Sequence, residues 1–234
     1  TFAHGGGVTR VEGSFNAFNV VEIHQSEARI ANTLFEFNAD GMGGQGPQGR
    51  FGRGFNEEAV IFVRGAQPVI ISNSIRDNDA PAISINANAL NHFLNSDSGR
   101  TTGRIDLLDG FRDNQGPLIT DNRIGSKEEL RDEQPNAIHG MVIRGQTLTT
   151  QSVWDDTDIV HVVLDDQIIV PDFHTYGGLR LESSPTESLV VKFDGPTAGL
   201  RASGSPHEIN DRIGGIIQIV GQPGSPVVLT SLAD

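Results

Sequence analysis

Asp155-Asp156-Thr157-Asp158 and Asp165-Asp166 stand on either side of the apolar run 159–164. Crowded carboxylates in turns are what a calcium ion takes, because it collects roughly six to eight oxygen ligands at once. Asp155, Asp156, Asp158, Asp165 and Asp166 are therefore calcium candidates. Their spacing matches neither the helix–loop–helix calcium loop nor the glycine-rich nonapeptide calcium repeat. The plain alternative is that these acids are solvated turns at the two ends of one strand. Calcium is the one cofactor that the sequence suggests.

Other reactive side chains are scattered. His4, His24, His92, His139, His161, His174 and His207 include no pair at the i, i+4 spacing of a zinc protease and no Glu-x-x-His partner. His24 and His161 fall at alternating positions of strand-like runs and are expected on an outer, solvated face. No Gly-x-Ser-x-Gly elbow marks a serine nucleophile. The absence of cysteine removes thiol nucleophiles, thiolate metal sites and disulfides. Trp154 and Tyr176, the single Trp and the single Tyr, suit either sugar stacking or packing. The Gly-rich stretch 41–54 lacks the Gly-Lys-Ser/Thr ending of a phosphate loop and reads as a flexible excursion.

Composition narrows the partners. A net charge of -13 is the wrong sign for phosphate backbones and for anionic bilayers, so neither nucleic acid nor membrane docking is expected. No apolar run approaches the length of a membrane-spanning helix, and no signal peptide is expected within these residues. The chain begins at Thr1 and ends at Asp234 after an apolar run, so it is expected to be a processed chain or a fragment of a longer one.

The elements that must position these residues are strands. Eleven apolar runs, bounded by Gly, Pro, Asn, Asp or Ser, begin near Val20, Val60, Val69, Ala82, Met141, Ile159, Gln167, Leu179, Leu189, Ile216 and Val227. Only 87–92 and 126–131 suit helices, and both are short. The runs also recur. Residues 21–38 resemble 61–78, with one residue more between the two Asn. Leu118-Ile-Thr-Asp-Asn122-Arg-Ile124 echoes 69–75, Met141-Val-Ile-Arg-Gly145 echoes Ile61-Phe-Val-Arg-Gly65, and 218–229 reads like 61–71. A degenerate repeat of this length with several short strands predicts a right-handed parallel β-helix with loop insertions at 41–54, 91–114, 126–135 and 171–176. The recurring Asn has two uses: it tolerates left-handed backbone, and its amide ladders with an Asn one coil away. The residue two places on, Ile75 or Ile124, fills the core.

"NSIRDNDAPAISI" and "DNRI" resemble coils of the pectate-lyase-like right-handed β-helix proteins. "VEIHQSEARIANTLFEFNADGMGGQGP", "FVRGAQPVIISNSIRDND" and "LTTQSVWDDTDIVHVV" are similar to β-helix segments of large bacterial secreted or cell-surface proteins. The resemblance is clear over 8–145; residues 150–234 are expected to continue as irregular coils or to form a β cap. It implies a secreted or cell-surface location and a structural or adhesion-type binding module. Neighbouring domains, other copies of the chain and polysaccharide are the partners it implies.

The same resemblance carries a rival implication, a carbohydrate-active enzyme for an acidic polysaccharide. Lyases of that family use calcium held by acids and a basic residue that removes a proton; Asp155, Asp156 and Arg144 are the residues available for those parts. The polygalacturonase-type hydrolase signature is met only by Asp155-Asp156 and a partial echo at Ile138-His139-Gly140. A strongly acidic surface repels polyuronate unless calcium bridges the two. Convergence of Asp155, Asp156 and Arg144 in one groove is what the enzyme requires.

Overall fold

Short β-branched runs closed by turn residues are too brief for helices and suit strands packed on both faces. The computed structural model describes residues 1–11, 14–26, 28–39, 56–90, 116–125, 138–149, 151–171, 178–204 and 214–234, and their regular structure is almost all strand. The insertions at 41–54, 91–114 and 126–135 and residues 172–176 of the fourth, with His92, His174, His207 and Tyr176, lie outside the described residues.

The chain starts with β1 (Phe2–Ala3) and an antiparallel hairpin of β2 (Gly7–Val11) and β3 (Ser14–Phe18). From there the strands come in threes. The first set is β4 (Val21–His24), β5 (Arg29–Ala31) and β6 (Leu34–Glu36); the second is β7 (Ile61–Arg64), β8 (Val69–Ile71) and β9 (Ser74–Arg76). The third is β10 (Ile83–Asn86), β11 (Leu118–Thr120) and β12 (Arg123–Ile124), with a 3₁₀ turn at Ala87–Leu90. The fourth is β13 (Met141–Arg144), β14 (Gln146–Thr147) and β15 (Ser152–Trp154), and the fifth β16 (His161–Leu164), β17 (Gln167–Val170) and β18 (Gly178–Glu182). The sixth is β19 (Leu189–Asp194), β20 (Gly199–Ala202) and β21 (Ile216–Val220), after which comes β22 (Val227–Ser231).

First members of the sets, with β22, build one seven-stranded sheet in the order β22-β19-β16-β13-β10-β7-β4. Second members build β11-β8-β5 and β14-β17-β20; third members, with β1, build β1-β6-β9-β12 and β15-β18-β21. Apart from the hairpin, the paired strands among the described residues are parallel. This is an all-β chain of parallel sheets, compatible with a parallel solenoid in which each set of three strands is one coil.

The register confirms the internal repeat. Val21 pairs with Ile61, Arg29 with Val69 and Leu34 with Ser74; Leu118 pairs with Val69 and Arg123 with Ser74. One face of the large sheet turns to the core, where Ile61, Ile83 and Met141 stack in one row and Val63, Ile85 and Ile143 in the next. The opposite face is also covered at its centre: Phe62, Ser84, Val142 and Val162 point outward yet are buried.

Two side-chain ladders run across the sets. Asn73 Nδ2 donates to Asn122 Oδ1 at 2.9 Å, and Asn38 Nδ2 donates to Asn78 Oδ1 at 2.7 Å. The left-handed corners belong to other residues. Asn32 (φ 52°), Ser72 (φ 54°) and Asp121 (φ 56°) occupy equivalent places, as do Phe37 (φ 53°) and Asp77 (φ 55°). The two roles assigned to one Asn are thus divided: Ser72 takes the strained backbone and Asn73 makes the ladder. The extra residue between Asn32 and Asn38 follows, because Thr33, not Asn32, is the counterpart of Asn73.

Other expectations are corrected. Residues 7–18 are a hairpin, so the sets begin at β4. The β-rich part beyond residue 150 keeps pairing in parallel as far as β22, because longer alternating runs such as Leu189–Asp194 supply regular strands. The likeness of 218–229 to 61–71 is out of phase: 61–64 lies in the large sheet, whereas Ile216–Val220 lies in the sheet of third members. Of the two short helix signals, 87–90 is a single 3₁₀ turn and 126–131 is outside the described residues.

Candidate functional site

β15 ends at Trp154 and β16 starts at His161, so Asp155, Asp156 and Asp158 sit in the turn that leads into β16. Asp165 and Asp166 sit in the turn that leaves it. Four extended residues separate the two groups by about 13 Å, at roughly 3.3 Å per residue. Among the described residues, no three His, Asp or Glu side chains come together as a metal-holding group.

Much of the acid is committed to structure. Asp158 Oδ2 accepts from the Asp121 amide at 2.6 Å and from Thr120 Oγ1 at 3.0 Å, tying its turn to β11. Partial burial pushes its carboxyl up, against those hydrogen bonds. Thr157 Oγ1 donates to Glu187 Oε2 at 2.8 Å. Asp166 Oδ1 accepts from the Gln167 amide at 2.8 Å. Glycines make room for the last two acids: a Cβ on Gly145 would fall 2.0 Å from Asp166 Cγ, and one on Gly195 (φ 92°) would fall 1.8 Å from Asp165 Oδ1.

Arg144 is at the trailing end of β13. Because Met141 pairs with His161 and Val142 with Val162, Arg144 stands level with Leu164. It therefore shares an end with Asp165-Asp166 and not with Asp155-Asp156. The trio proposed for lyase chemistry is divided between opposite ends of the large sheet.

A different group gathers around Arg144 on the outer face. Its guanidinium carbon is 4.1 Å from the Phe62 ring centroid, and that of Arg64 is 5.4 Å from the same ring. Arg144 donates to Ser84 Oγ at 2.8 Å and to the Val63 carbonyl, so one side chain spans β13, β10 and β7. Burial, and secondarily Arg64, lower the Arg144 pKa to about 10, with Glu57 opposing. Glu57 is pushed up by desolvation and by Asp166, while Arg144 and Arg64 pull it down. Beside them, Glu22 accepts from His24 Nε2 at 3.0 Å and from Asn56 Nδ2 at 3.1 Å, and the His24 ring lies tilted 5.5 Å from Phe62.

This cluster is an acid, two guanidiniums and an aromatic ring. It could bind a carboxylate or carry a proton, but Arg144 at about 10 is unprotonated in only about one molecule per thousand at pH 7. Its visible work is to join three strands. Glu57 was not singled out in the sequence, since it precedes β7 and lies far along the chain from Arg144. A signal that Arg64 and Arg144 share a row was present in the repeated Val-Arg-Gly and Ile-Arg-Gly endings, with Asn86 of β10 between them.

The aromatic and histidine candidates resolve differently. His24 is on the outer face as expected. His161 is not: it is wholly buried in the inner row between Met141 and Val191, because register outweighs side-chain polarity. Trp154 is buried and stacks on His161 with ring centroids 5.5 Å apart, so it offers no face to a sugar. His4 stacks on Phe37, and the His139 ring lies over Gly125.

No family model matches the chain, and neither a curated protein nor a solved structure matches it. The likeness to pectate-lyase-like coils rests on the residues of this chain alone.

Proposed function

We propose that the chain is a right-handed parallel β-helix that serves as a structural or adhesion-type binding module of a secreted or cell-surface bacterial protein. The observation that carries this reading is the use made of the polar residues. Asn38, Asn73, Asn78, Asn122, Asp158 and Arg144 are engaged in tying one set of strands to the next. The acidic turns stand apart, at the two ends of β16. A repetitive, rigid, acidic body of this kind suits presentation of a surface or spacing between neighbours in a longer chain. No helix among the described residues is long and apolar enough to cross a membrane.

The experiment is co-sedimentation of the chain with insoluble neutral and acidic polysaccharides, with and without calcium. Retention on a polymer without release of soluble sugar supports the binding role. Failure to sediment with any polymer removes that role and leaves the structural one.

The second reading, a lyase or hydrolase acting on an acidic polysaccharide, is favoured by one observation. Arg144 has a lowered pKa and Glu57 a raised one, and they influence each other on one face of the large sheet. In that reading Arg144 and Glu57 replace Asp155 and Asp156 as the reacting groups.

A further inference from the structure

His161 fills a slot that belongs to apolar residues. In the inner row of the large sheet it is stacked between Met141 and Val191, followed by Leu229. Its side chain has no solvent exposure. Nδ1 lies 3.2 Å from the carbonyl oxygen of Ile159, so Nδ1 carries the proton and donates. Nε2 is then a bare acceptor, and it is buried with no hydrogen-bond partner among the described residues. Trp154 stacks on the ring at 5.5 Å and 19°, and its own Nε1–H is likewise buried without a partner among the described residues.

Beyond the Ile159 carbonyl and the Trp154 ring, the described residues of this core are apolar. Met141 of β13, Val191 of β19 and Trp154 of β15 flank the ring and belong to the hydrophobic core. The charged residues of those strands and of β18, Arg144, Arg180, Glu182, Lys192 and Asp194, alternate to the outer faces. Asp155, Asp156 and Asp158 stay in the turn before β16.

We propose that His161 is an acid trigger built into the core: a proton on Nε2 places an uncompensated charge between Met141, Trp154 and Val191 and releases β16 from the sheet. Burial is the main cause holding the imidazole neutral down to about pH 4, against an ordinary value of 6.5. The sign follows. The unfolded chain takes up the proton as pH drops below 6.5, whereas the folded chain does so only near 4. Stability is therefore undiminished above 6.5, is lost progressively through that window, and loses no more from this group below 4. The folding equilibrium shifts by up to about 300-fold across it.

The test uses the single Trp as a local probe, since Trp154 stacks on the imidazole. Wild type and His161→Met are unfolded in urea at several pH values from about 7.5 to about 4, with Trp fluorescence as the readout. Carboxylates titrate alike in both proteins and cancel in the ratio of their folding equilibria. That ratio is expected to hold steady above 6.5 and then to move against wild type by up to about 300-fold. Parallel pH profiles overturn the proposal. Should the Met variant not fold, nitrogen NMR of wild-type His161 decides. A neutral Nδ1–H tautomer persisting at about pH 5 is expected, and a titration midpoint near 6.5 overturns it.

Discussion

Asn73 gives the sharpest test of how the sets of strands are joined. Its side chain makes three hydrogen bonds: Oδ1 accepts from the Thr33 amide at 3.0 Å, and Nδ2 donates to the Ile30 carbonyl at 3.0 Å and to Asn122 Oδ1 at 2.9 Å. It is buried, so Asn73→Ala removes all three and leaves their partners with little water to turn to. At a net worth of about 1 kcal/mol per bond, the loss is about 3 kcal/mol. For a chain of this length that corresponds to a fall of about 6–12 °C in Tm. Circular dichroism melts and urea unfolding of wild type, Asn73→Ala, Asn122→Ala and the double variant supply a coupling energy. About 1 kcal/mol of coupling is expected, since one shared bond links the two amides. Gln218→Ala, on the exposed side of β21, is the control and should change stability by about 0.5 kcal/mol or less. A loss at Asn73 no larger than at Gln218, or additive losses at Asn73 and Asn122, would refute the ladder as a source of stability.

Three further outcomes follow from the geometry. Gly215→Ala places a Cβ 2.1 Å from the Val170 carbonyl oxygen, which forces backbone apart and should lower Tm markedly; Gly199→Ala meets nothing within 4 Å and should be neutral or slightly stabilising in the same melts. Arg144→Met keeps volume but drops the bonds to Ser84 and Val63 and the contact with Phe62, and is expected to cost about 2–4 kcal/mol in urea unfolding. Melts in EDTA and in millimolar calcium should coincide, because the five candidate aspartates are divided between two turns; a reproducible rise in Tm with calcium would show that the folded chain binds it.

Much of the fold was legible because strand patterns and repeats are local. Each of the eleven apolar runs falls on an observed strand, and the Val69–Ile75 echo at Leu118–Ile124 is a true register match. Strands such as β14 (Gln146–Thr147) and β20 (Gly199–Ala202) were missed, since two residues are too few to show a strand pattern and Gly, Arg and Ala carry little strand signal. The site was less legible. His161 looked like a surface residue because its polarity was weighed without its register, and its inward direction is fixed by Met141 and Val191 in other strands. Asp155-Asp156 drew attention as an adjacent pair, yet sequence gave no measure of which end of the sheet Arg144 would reach. Glu57 meets Arg144 only through the stacking of sets, which no local spacing records.

Turnover of an acidic polysaccharide is the most direct test of whether these polar residues hold the chain together or carry out a reaction. The chain is mixed with soluble polyuronates, with and without calcium, and followed by new reducing ends and by the ultraviolet absorbance of an unsaturated sugar end. A structural or binding module leaves both signals at the level of buffer. Turnover that is abolished in Glu57→Gln, in a variant that keeps the wild-type Tm, would contradict that function and establish the Arg144–Glu57 face as a reacting centre.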